Sequence, residues 1–333
     1  MTNLYTQDTR ILGRYLPNAS GEGLTLAWTN SGIEFEFFGT AAYLDLATDT
    51  KTALLGVFVD GESAHSSLLQ ASTASKKYTL AENLPLGTHT IKLLKLSEAN
   101  QSRVKLGTLQ VNGKDIEPTV AKQRVIEFIG DSITCGFGTL AESSASPYAI
   151  LEQDASLAYP YLIAEHFGAD GQYISRSGIG ILGNSGNGTE TMPEVYQYAS
   201  YKQQAGLAYS AMTKWSNVAH ETPDAIVINL GTNDHAYYNN TAPFVAEYKE
   251  FLATVRALNP NAVIFVTYGV MYNNLNTTIR QLVEDMNDPK MQFVDIWGAS
   301  YDLQGAGGHP SASDHQKIAE ILIDSIGDKM MWN

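Results

Sequence analysis

Val125-Ile126-Glu127-Phe128-Ile129 is followed directly by Gly130-Asp131-Ser132. The first five residues form a nearly continuous apolar run, which is typical of a parallel β-strand covered on both faces. Similar runs lie at 225–230, 262–266 and 293–296, a further strand passes through 173–174, and helical patterns lie at 159–166, 244–258, 278–285 and 313–326. This alternation predicts an α/β domain with a flavodoxin-like parallel sheet of about five strands.

The N-terminal third of the chain has a different hydrophobic pattern. Residues 33–37 alternate apolar and acidic side chains, which is the period of a half-buried strand. Residues 54–59 are apolar and lead into Asp60-Gly61, a hairpin turn signal. Evenly spaced short strands without an amphipathic helix predict an all-β jelly-roll sandwich. We place this domain at residues 1–118 and the α/β domain at residues 119–333.

The charge balance limits the classes of partner. The chain has 333 residues with 21 Lys and Arg against 35 Asp and Glu, a net charge of −14. Such a chain is a poor non-specific nucleic-acid binder, and it gains nothing from an anionic membrane surface. A neutral, carbohydrate-like partner fits better. A single cysteine, Cys135, excludes an internal disulfide and a paired-cysteine zinc site, and no histidine pattern predicts a metal.

The first eight residues contain neither a basic start nor an apolar run, so as written they do not predict a signal peptide. A removed leader that was replaced by an initiator Met fits equally well. A cytoplasmic and a secreted location are both compatible with the sequence. The longest apolar runs have the length of a strand, so no transmembrane helix is predicted.

Three polar features follow predicted strands, where α/β sheets form their sites. Ser132 follows the first strand, Asn233 follows the run at 225–230, and His309 lies just before the last helix. Each alone fits an N-cap, a turn or a loop residue. Together, in this order, they supply a nucleophile, an amide donor and a base, which are the parts needed for acyl transfer.

A glycine pattern lies between the first two of these features. Residues 178–183 read GxGxxG, but residues 184–190 are polar and glycine-rich where a dinucleotide-binding helix should begin. A backbone N–H of Gly178 in an oxyanion hole is the better functional interpretation, and a simple loop is the alternative. Cys135 is a rival nucleophile without an evident partner and fits a small packed residue. His315, inside the last predicted helix, fits a structural role.

These residues resemble a known family. Gly130-Asp131-Ser132, Gly178, residues 231–234 and His309-Pro310-Ser311 are similar to the four blocks of the SGNH (GDSL) hydrolases. The segments at 13–14, 24–28, 31–40, 57–61 and 87–91 resemble the β-sandwich that precedes the SGNH domain in family 2 carbohydrate esterases. The resemblance implies Ser132 as nucleophile, His309 as general base, and an oxyanion hole from the N–H groups of Ser132 and Gly178 and the side chain of Asn233.

The chain departs from the family pattern at two positions. The superfamily often has an Asp three residues before the His, and here that residue is Ala306. Family 2 esterases are similar in often using a Ser-His dyad with a backbone carbonyl, whereas Asp302 or Asp314 would need a loop that folds back. The family also tends to place an aromatic directly before the His, and here it is Gly308. Sugar stacking must then come from elsewhere, and Tyr268 and Tyr272 are candidates, although core or loop positions fit both tyrosines at least as well. Asp131 is a further candidate for substrate binding.

The resemblance implies a serine esterase of the acetyl xylan esterase type, which removes O-acetyl groups from plant-polysaccharide sugars or oligosaccharides. An acetylated saccharide is the expected partner, and no metal or organic cofactor is expected. One alternative is a lipase-like or thioester-cleaving SGNH hydrolase. Another is a sugar-binding protein that has lost catalysis.

Overall fold

The computed structural model describes residues 7–17, 23–185, 190–201, 212–217 and 222–332. The chain forms two compact units. The first comprises Met1–Ala121 with Tyr198–Ala219, and the second comprises Lys122–Gln197 with His220–Asn333. The predicted boundary between residues 118 and 119 stays a prediction. Residues 198–201 and 212–217, which that boundary assigns to the second domain, pack within the first unit.

Two side chains of the first unit hold the segment that begins at Tyr198. Arg14 Nη1 donates to the carbonyl of Tyr198 at 3.2 Å. Trp28 Nε1 donates to the carbonyl of Ala199 at 3.1 Å, and the Trp28 ring is fully buried. A buried Trp commonly needs a partner for its N–H, and here a backbone carbonyl distant in sequence provides it.

The first unit is an antiparallel β-sandwich, as predicted. The strands are β1 (Arg10–Leu12), β2 (Tyr15–Pro17), β3 (Leu24–Leu26), β4 (Gly32–Thr48), β5 (Ala53–Val59), β6 (Ser67–Ala71), β7 (Lys76–Ala81), β8 (Gly87–Lys95) and β9 (Val104–Pro118). Their order is β2-β3-β9-β4-β8-β5-β6, and β1 and β7 also pair with β4.

The long strand β4 organises this sandwich. Residues 32–39 pair with β8, residues 42–46 pair with β7, and residues 35–48 pair with β9 across three register shifts. Register shifts of this kind bend a strand, so that one strand serves both layers. Phe35, Phe37 and Leu44 are fully buried in the shared core, whereas Glu36 is exposed. The alternation at 33–37 therefore identified only the first part of a strand of 17 residues.

The second unit contains the predicted five-stranded parallel sheet. Its strands are β10 (Arg124–Gly130), β11 (Ala169–Ser175), β12 (Ala225–Asn229), β13 (Val263–Thr267) and β14 (Met291–Phe293), in the order β11-β10-β12-β13-β14. The last strand lies earlier than the predicted run at 293–296. The Asp295 carboxylate accepts from the Trp297 N–H at 3.0 Å, and this local bond turns the chain away from the sheet.

Helices connect these strands. They are α1 (Ser132–Cys135), α2 (Tyr159–His166), α3 (Met192–Val195), α4 (Ala242–Leu258), α5 (Asn276–Met286) and α6 (Ala312–Met330). The four longer helices lie where the helical patterns predicted them. Within the described ranges, every helix is too short or too polar to cross a lipid bilayer.

The strand register of the second unit brings three strand ends to one place. Gly130 of β10 pairs with Ser175 of β11 on one side and with Asn229 of β12 on the other. All of β12 and most of β10 are buried, which explains their continuous apolar sequences. The segments that follow these three strands therefore begin side by side at the carboxyl edge of the sheet.

The predicted turn at Asp60-Gly61 is present at the end of β5. Both residues have positive φ, 52° and 75°, and the Glu62 N–H donates to the Val59 carbonyl at 3.1 Å. Two successive left-handed residues are the requirement of a type I′ turn, which Asp-Gly satisfies without a steric penalty at the glycine.

This turn also holds a buried histidine. His89 Nε2 lies 2.7 Å from the Pro85 carbonyl, and its Nδ1 lies 2.8 Å from the Asp60 carboxylate. Because both ring nitrogens face acceptors, the imidazolium satisfies them better than the neutral ring. The Pro85 carbonyl and the Asp60 carboxylate accordingly raise the pKa of His89 above its ordinary value.

We predict that His89 makes the stability of the protein depend on pH. A raised folded-state pKa contributes stability that is fully present below the unfolded pKa of about 6.5, and that is lost as the pH rises through the folded pKa. Asp60→Asn keeps a residue that tolerates positive φ and removes the charge, so it should reduce this dependence. Urea unfolding at a series of pH values measures the effect. An Asp60→Asn curve parallel to that of the wild type would contradict it.

Candidate active site

Ser132 lies at the start of α1, immediately beyond the carboxyl end of β10. Asp131 caps this short helix, because its Oδ1 accepts from the Ile133 N–H at 3.0 Å. A Cβ at Gly130 would lie 1.9 Å from Thr134 Oγ1, so glycine is required for the sharp turn from strand to helix. The turn leaves Ser132 only 5% exposed and directs it to the edge of the sheet.

The structure brings His309 to Ser132, as the order of the motifs predicts. His309 Nε2 lies 2.8 Å from Ser132 Oγ, although 177 residues separate them in sequence. On the other side of the ring, Nδ1 lies 2.8 Å from the carbonyl oxygen of Ala306. A carbonyl can only accept, so Nδ1 carries the proton and Nε2 is free to accept from the serine hydroxyl.

The tight turn at Ala306–Gly308 creates this contact. Gly307 and Gly308 both have positive φ, 64° and 78°, and the Gly305 N–H donates to the His309 carbonyl at 2.9 Å. Glycine adopts such angles at little cost, which lets the chain double back so that the Ala306 carbonyl faces its own histidine. Backbone thus occupies the position where the superfamily often has an aspartate.

The carboxylates of Asp302 and Asp314 bind elsewhere. Asp314 accepts from the backbone N–H groups of Asp302 (3.0 Å) and Leu303 (2.9 Å). Burial opposes its ionisation, but these bonds hold the pKa of Asp314 below its ordinary value. Asp302 accepts from the Gln304 N–H at 3.1 Å and is exposed. Both carboxylates therefore shape the loop that precedes His309 instead of contacting the ring.

An aromatic pair covers the imidazole. The Phe137 ring centroid lies 4.6 Å from that of His309, and Tyr148 stacks on Phe137 at 4.5 Å. Burial lowers the pKa of His309 below its ordinary value, whereas the bond to the Ala306 carbonyl opposes this change. Sequence reasoning missed both aromatic residues, because they lie in a segment without strand or helix periodicity.

Gly178 and Asn233 lie beyond the two strands that flank β10. Gly178 has a φ of 83°, and a Cβ there would lie 2.7 Å from the Ser185 carbonyl oxygen, so the backbone requires glycine. Asn233 is buried, and its Nδ2 donates to the Ile179 carbonyl at 2.9 Å. A longer bond of 3.4 Å connects Asn233 Nδ2 to Asp131 Oδ2. These contacts place the predicted oxyanion donors at the same sheet edge as Ser132.

Asp131 is fully buried beneath this site. Burial raises the pKa of its carboxyl group to about 7, and the charge of Asp234 contributes in the same direction. Its two oxygens face Ile133 and Asn233. Asp131, a candidate for substrate binding from the sequence, thus supports the backbone and the amide from within the protein.

The two candidate tyrosines after β13 have different environments. Tyr268 is fully buried and packs against the glycine at position 231, so its ring has no face open to a ligand. Tyr272 is 40% exposed. Its ring lies 5.1 Å from that of His235 and 6.4 Å from that of Tyr238, in a cluster that the sequence analysis did not identify.

The remaining candidates have structural positions. Cys135 is fully buried at the end of α1, in agreement with a packed residue. His315 is buried in α6, where its Nδ1 accepts from the Tyr159 N–H at 3.3 Å. Burial lowers the pKa of His315 to about 3, so the ring stays neutral. For the glycine pattern at 178–183, no dinucleotide-binding helix begins within residues 184–185, and residues 186–189 lie outside the described ranges.

A serine paired with a histidine at the strand ends of a parallel sheet defines a serine hydrolase of the α/β type. The profile of the GDSL-like lipase/acylhydrolase family matches residues 128–317, and that of the carbohydrate esterase 2 N-terminal domain matches residues 11–119. The chain belongs to the GDSL-like lipase/acylhydrolase family. Its combination of domains is that of the family 2 carbohydrate esterases, so the resemblance inferred from the motifs is confirmed.

Individual relatives agree with this assignment. The chain is 30% identical over 322 residues to the cellulase/esterase CelE of Acetivibrio thermocellus, covering 93% of this chain but only 38% of that protein. It is 28% identical to an acetylxylan esterase / glucomannan deacetylase of Cellvibrio japonicus, covering 74% of this chain and 71% of the relative. A family two carbohydrate esterase from Clostridium thermocellum, solved with cellohexaose, superposes with a TM-score of 0.87 at 27% identity, covering 98% of this chain and 100% of that one.

We predict that neither Asp302 nor Asp314 contributes a carboxylate to catalysis. Asp302→Ala should leave kcat unchanged. Asp314→Asn should lower the melting temperature, because it weakens the bonds that hold the 302–303 backbone, and should reduce kcat by less than about tenfold. Steady-state rates on a small acetyl ester, with thermal unfolding of each variant, measure both effects. A fall in kcat of about 10⁴-fold, as for a lost triad aspartate, would contradict a backbone-oriented histidine.

Proposed function

We propose that the protein is a serine esterase that removes O-acetyl groups from the sugars of plant polysaccharides or their oligosaccharides. The observation that carries the proposal is the continuous relay from Ser132 Oγ through His309 to the Ala306 carbonyl, with 2.8 Å at each step. This relay holds a hydroxyl, a general base in its accepting tautomer, and a fixed acceptor behind the base.

In the first half of the reaction, Ser132 Oγ attacks the acetyl carbonyl carbon while His309 Nε2 takes the hydroxyl proton. The carbonyl oxygen becomes an oxyanion in the tetrahedral intermediate. The N–H groups of Ser132 and Gly178 and the side chain of Asn233 donate to it. Asn233 Nδ2 donates to the Ile179 carbonyl at 2.9 Å, and it gives up its longer bond of 3.4 Å to Asp131 Oδ2 to donate to the oxyanion.

In the second half, the intermediate breaks its bond to the sugar oxygen, which receives the proton from His309 Nε2 and leaves as a hydroxyl. The acetyl group is then an ester of Ser132. Water attacks this ester while His309 takes a proton from the water. His309 then returns this proton to Ser132 Oγ, and acetic acid leaves and ionises to acetate. The sequence of steps is balanced without a metal ion or an organic cofactor.

The aromatic cluster and the charge of the chain support a saccharide as the substrate. Tyr272 presents a partly exposed ring beside His235 and Tyr238, beyond the same sheet edge as Ser132. Flat aromatic faces suit the apolar faces of sugar rings. The net charge of −14 favours a neutral polymer over an anionic one. The names of the relatives, which refer to xylan and glucomannan, guide the choice of the first substrates.

The experiment that tests the proposal compares acetate release from acetylated xylan and acetylated glucomannan by the wild type, Ser132→Ala and Ser66→Ala. We expect release by the wild type and by Ser66→Ala, because Ser66 is exposed in the first unit and its hydroxyl donates to the exposed Glu62 carboxylate. Loss of the nucleophile should lower kcat by about 10⁶-fold, to the limit of detection.

Other outcomes would contradict the proposal in distinct ways. Equal rates for the wild type and Ser132→Ala would remove Ser132 from the reaction. Turnover of long-chain acyl esters but not of acetyl esters would favour the lipase-like alternative. Binding of deacetylated polysaccharide without any turnover would favour the sugar-binding alternative.

A further inference from the structure

The glycine pattern at 178–183 has a role that neither a dinucleotide nor a simple loop explains. The segment after Gly178 wraps around the carboxylate of Asp234, which is fully buried. Asp234 Oδ1 accepts from the N–H groups of Leu182 (2.8 Å) and Gly183 (2.6 Å), and its Oδ2 accepts from the Ile181 N–H (3.1 Å). Three successive N–H groups that converge on one anion form a nest of the kind that otherwise binds phosphate.

The tight turn around this carboxylate requires glycine at position 180. A Cβ at Gly180 would lie 2.4 Å from the Gly183 carbonyl oxygen and 2.6 Å from Asp234 Oδ2, closer than real side chains approach. A Cβ at Gly183 would meet the Asn233 carbonyl oxygen at 3.1 Å and Asp234 Oδ1 at 3.3 Å, which are tight contacts. Glycine at position 180 is therefore explained by a turn that closes around an anion of the protein itself.

The nest is connected directly to the predicted oxyanion donors. Gly178 immediately precedes the wrapped segment, and the Ser185 N–H donates to its carbonyl at 2.9 Å. The Ile179 carbonyl accepts from Asn233 Nδ2 at 2.9 Å. One carboxylate thus fixes the backbone that carries Gly178 and also the acceptor that sets the rotation of the Asn233 amide.

We propose that Asp234 is a positioning residue for the oxyanion hole, acting as an internal anion that locks the 178–183 segment in place. This inference rests on the proposed function. Asp234 itself does not touch the substrate. It acts through the Gly178 backbone and the Asn233 amide. Their N–H groups stabilise the transition state only if they are already in place where the negative charge develops.

Asp234→Asn tests the proposal. The amide replaces one accepting oxygen by an N–H₂ group, which would face a backbone N–H and push the segment away. A misplacement of about 1 Å in a catalytic site costs about 10²-fold in rate, so we expect kcat to fall by about that factor. KM should stay within about twofold, because ground-state binding does not use the oxyanion donors. Rates are measured where circular dichroism shows the variant folded.

Asp154→Asn is the matched control. Asp154 is also a buried carboxylate, and it accepts from the N–H (2.9 Å) and the hydroxyl (2.6 Å) of Ser156, two residues further along the chain. We expect it to lose thermal stability without a loss of kcat. A wild-type kcat in folded Asp234→Asn would overturn the proposal, as would an equal loss of kcat in both variants.

A second variant keeps the proposal falsifiable if Asp234→Asn does not fold. Gly180→Ala introduces a Cβ that presses on the Gly183 carbonyl oxygen and on Asp234 Oδ2, so it distorts the nest while the charge of Asp234 remains. It should lower kcat with little change in KM, and an unchanged kcat would overturn the proposal. Failure of the proposed function is distinguishable, because the wild type would then show no turnover that depends on Ser132.

Discussion

The hydrogen bond from His309 Nδ1 to the Ala306 carbonyl is the interaction on which the active site depends. It fixes the tautomer, which makes Nε2 the acceptor for Ser132. A carbonyl orients the ring as a carboxylate would, but it adds no full negative charge. The pKa of His309 therefore lies below its ordinary value, as burial dictates. A base of this kind stays neutral to a lower pH than a free histidine, and the imidazolium it becomes during the reaction receives less electrostatic stabilisation than in a full triad.

Close approach of backbone to other groups recurs throughout the site. The absence of a Cβ lets Gly130 lie against Thr134, Gly178 against the carbonyl of Ser185, and Gly180 against the carboxylate of Asp234. The aligned ends of three parallel strands bring these turns together. Since backbone groups are fixed by the fold, the donors and acceptors of the site are ordered before a substrate arrives. Such preorganisation is the main source of transition-state stabilisation in acyl transfer.

Much of this arrangement could be predicted from the sequence. Continuous apolar runs predicted the parallel strands. Ser132 and Asn233 were predicted as site residues from their positions shortly after strands, and His309 from its position on the loop before the last helix. Each of the three residues alone would fit a turn or a cap. Their joint occurrence in this order favoured a shared site at one edge of the sheet. The Asp60-Gly61 dipeptide identified its turn, because few residues adopt two successive positive φ angles.

Other features had no sequence signal. Every residue has a backbone carbonyl, so the residue type at position 306 does not reveal that its carbonyl orients His309. The burial of Tyr268 and the packing of Phe137 on His309 depend on tertiary contacts. The glycine pattern at 178–183 is typical of a dinucleotide site, and the carboxylate it encloses, Asp234, lies 51 residues beyond Gly183 in the sequence. The packing of residues 198–201 with the first unit depends on contacts to Arg14 and Trp28, which are distant in sequence.

Nitrogen NMR of the His309 ring, followed as a function of pH, is the most direct test of a base oriented by a backbone carbonyl. A carbonyl acceptor predicts a ring protonated at Nδ1, with Nε2 accepting from Ser132, and a midpoint below the ordinary value of 6.5. The signal is assigned by its absence in a His309→Gln variant. A midpoint above 6.5 would contradict the carbonyl arrangement, because a carboxylate partner stabilises the imidazolium and raises its pKa.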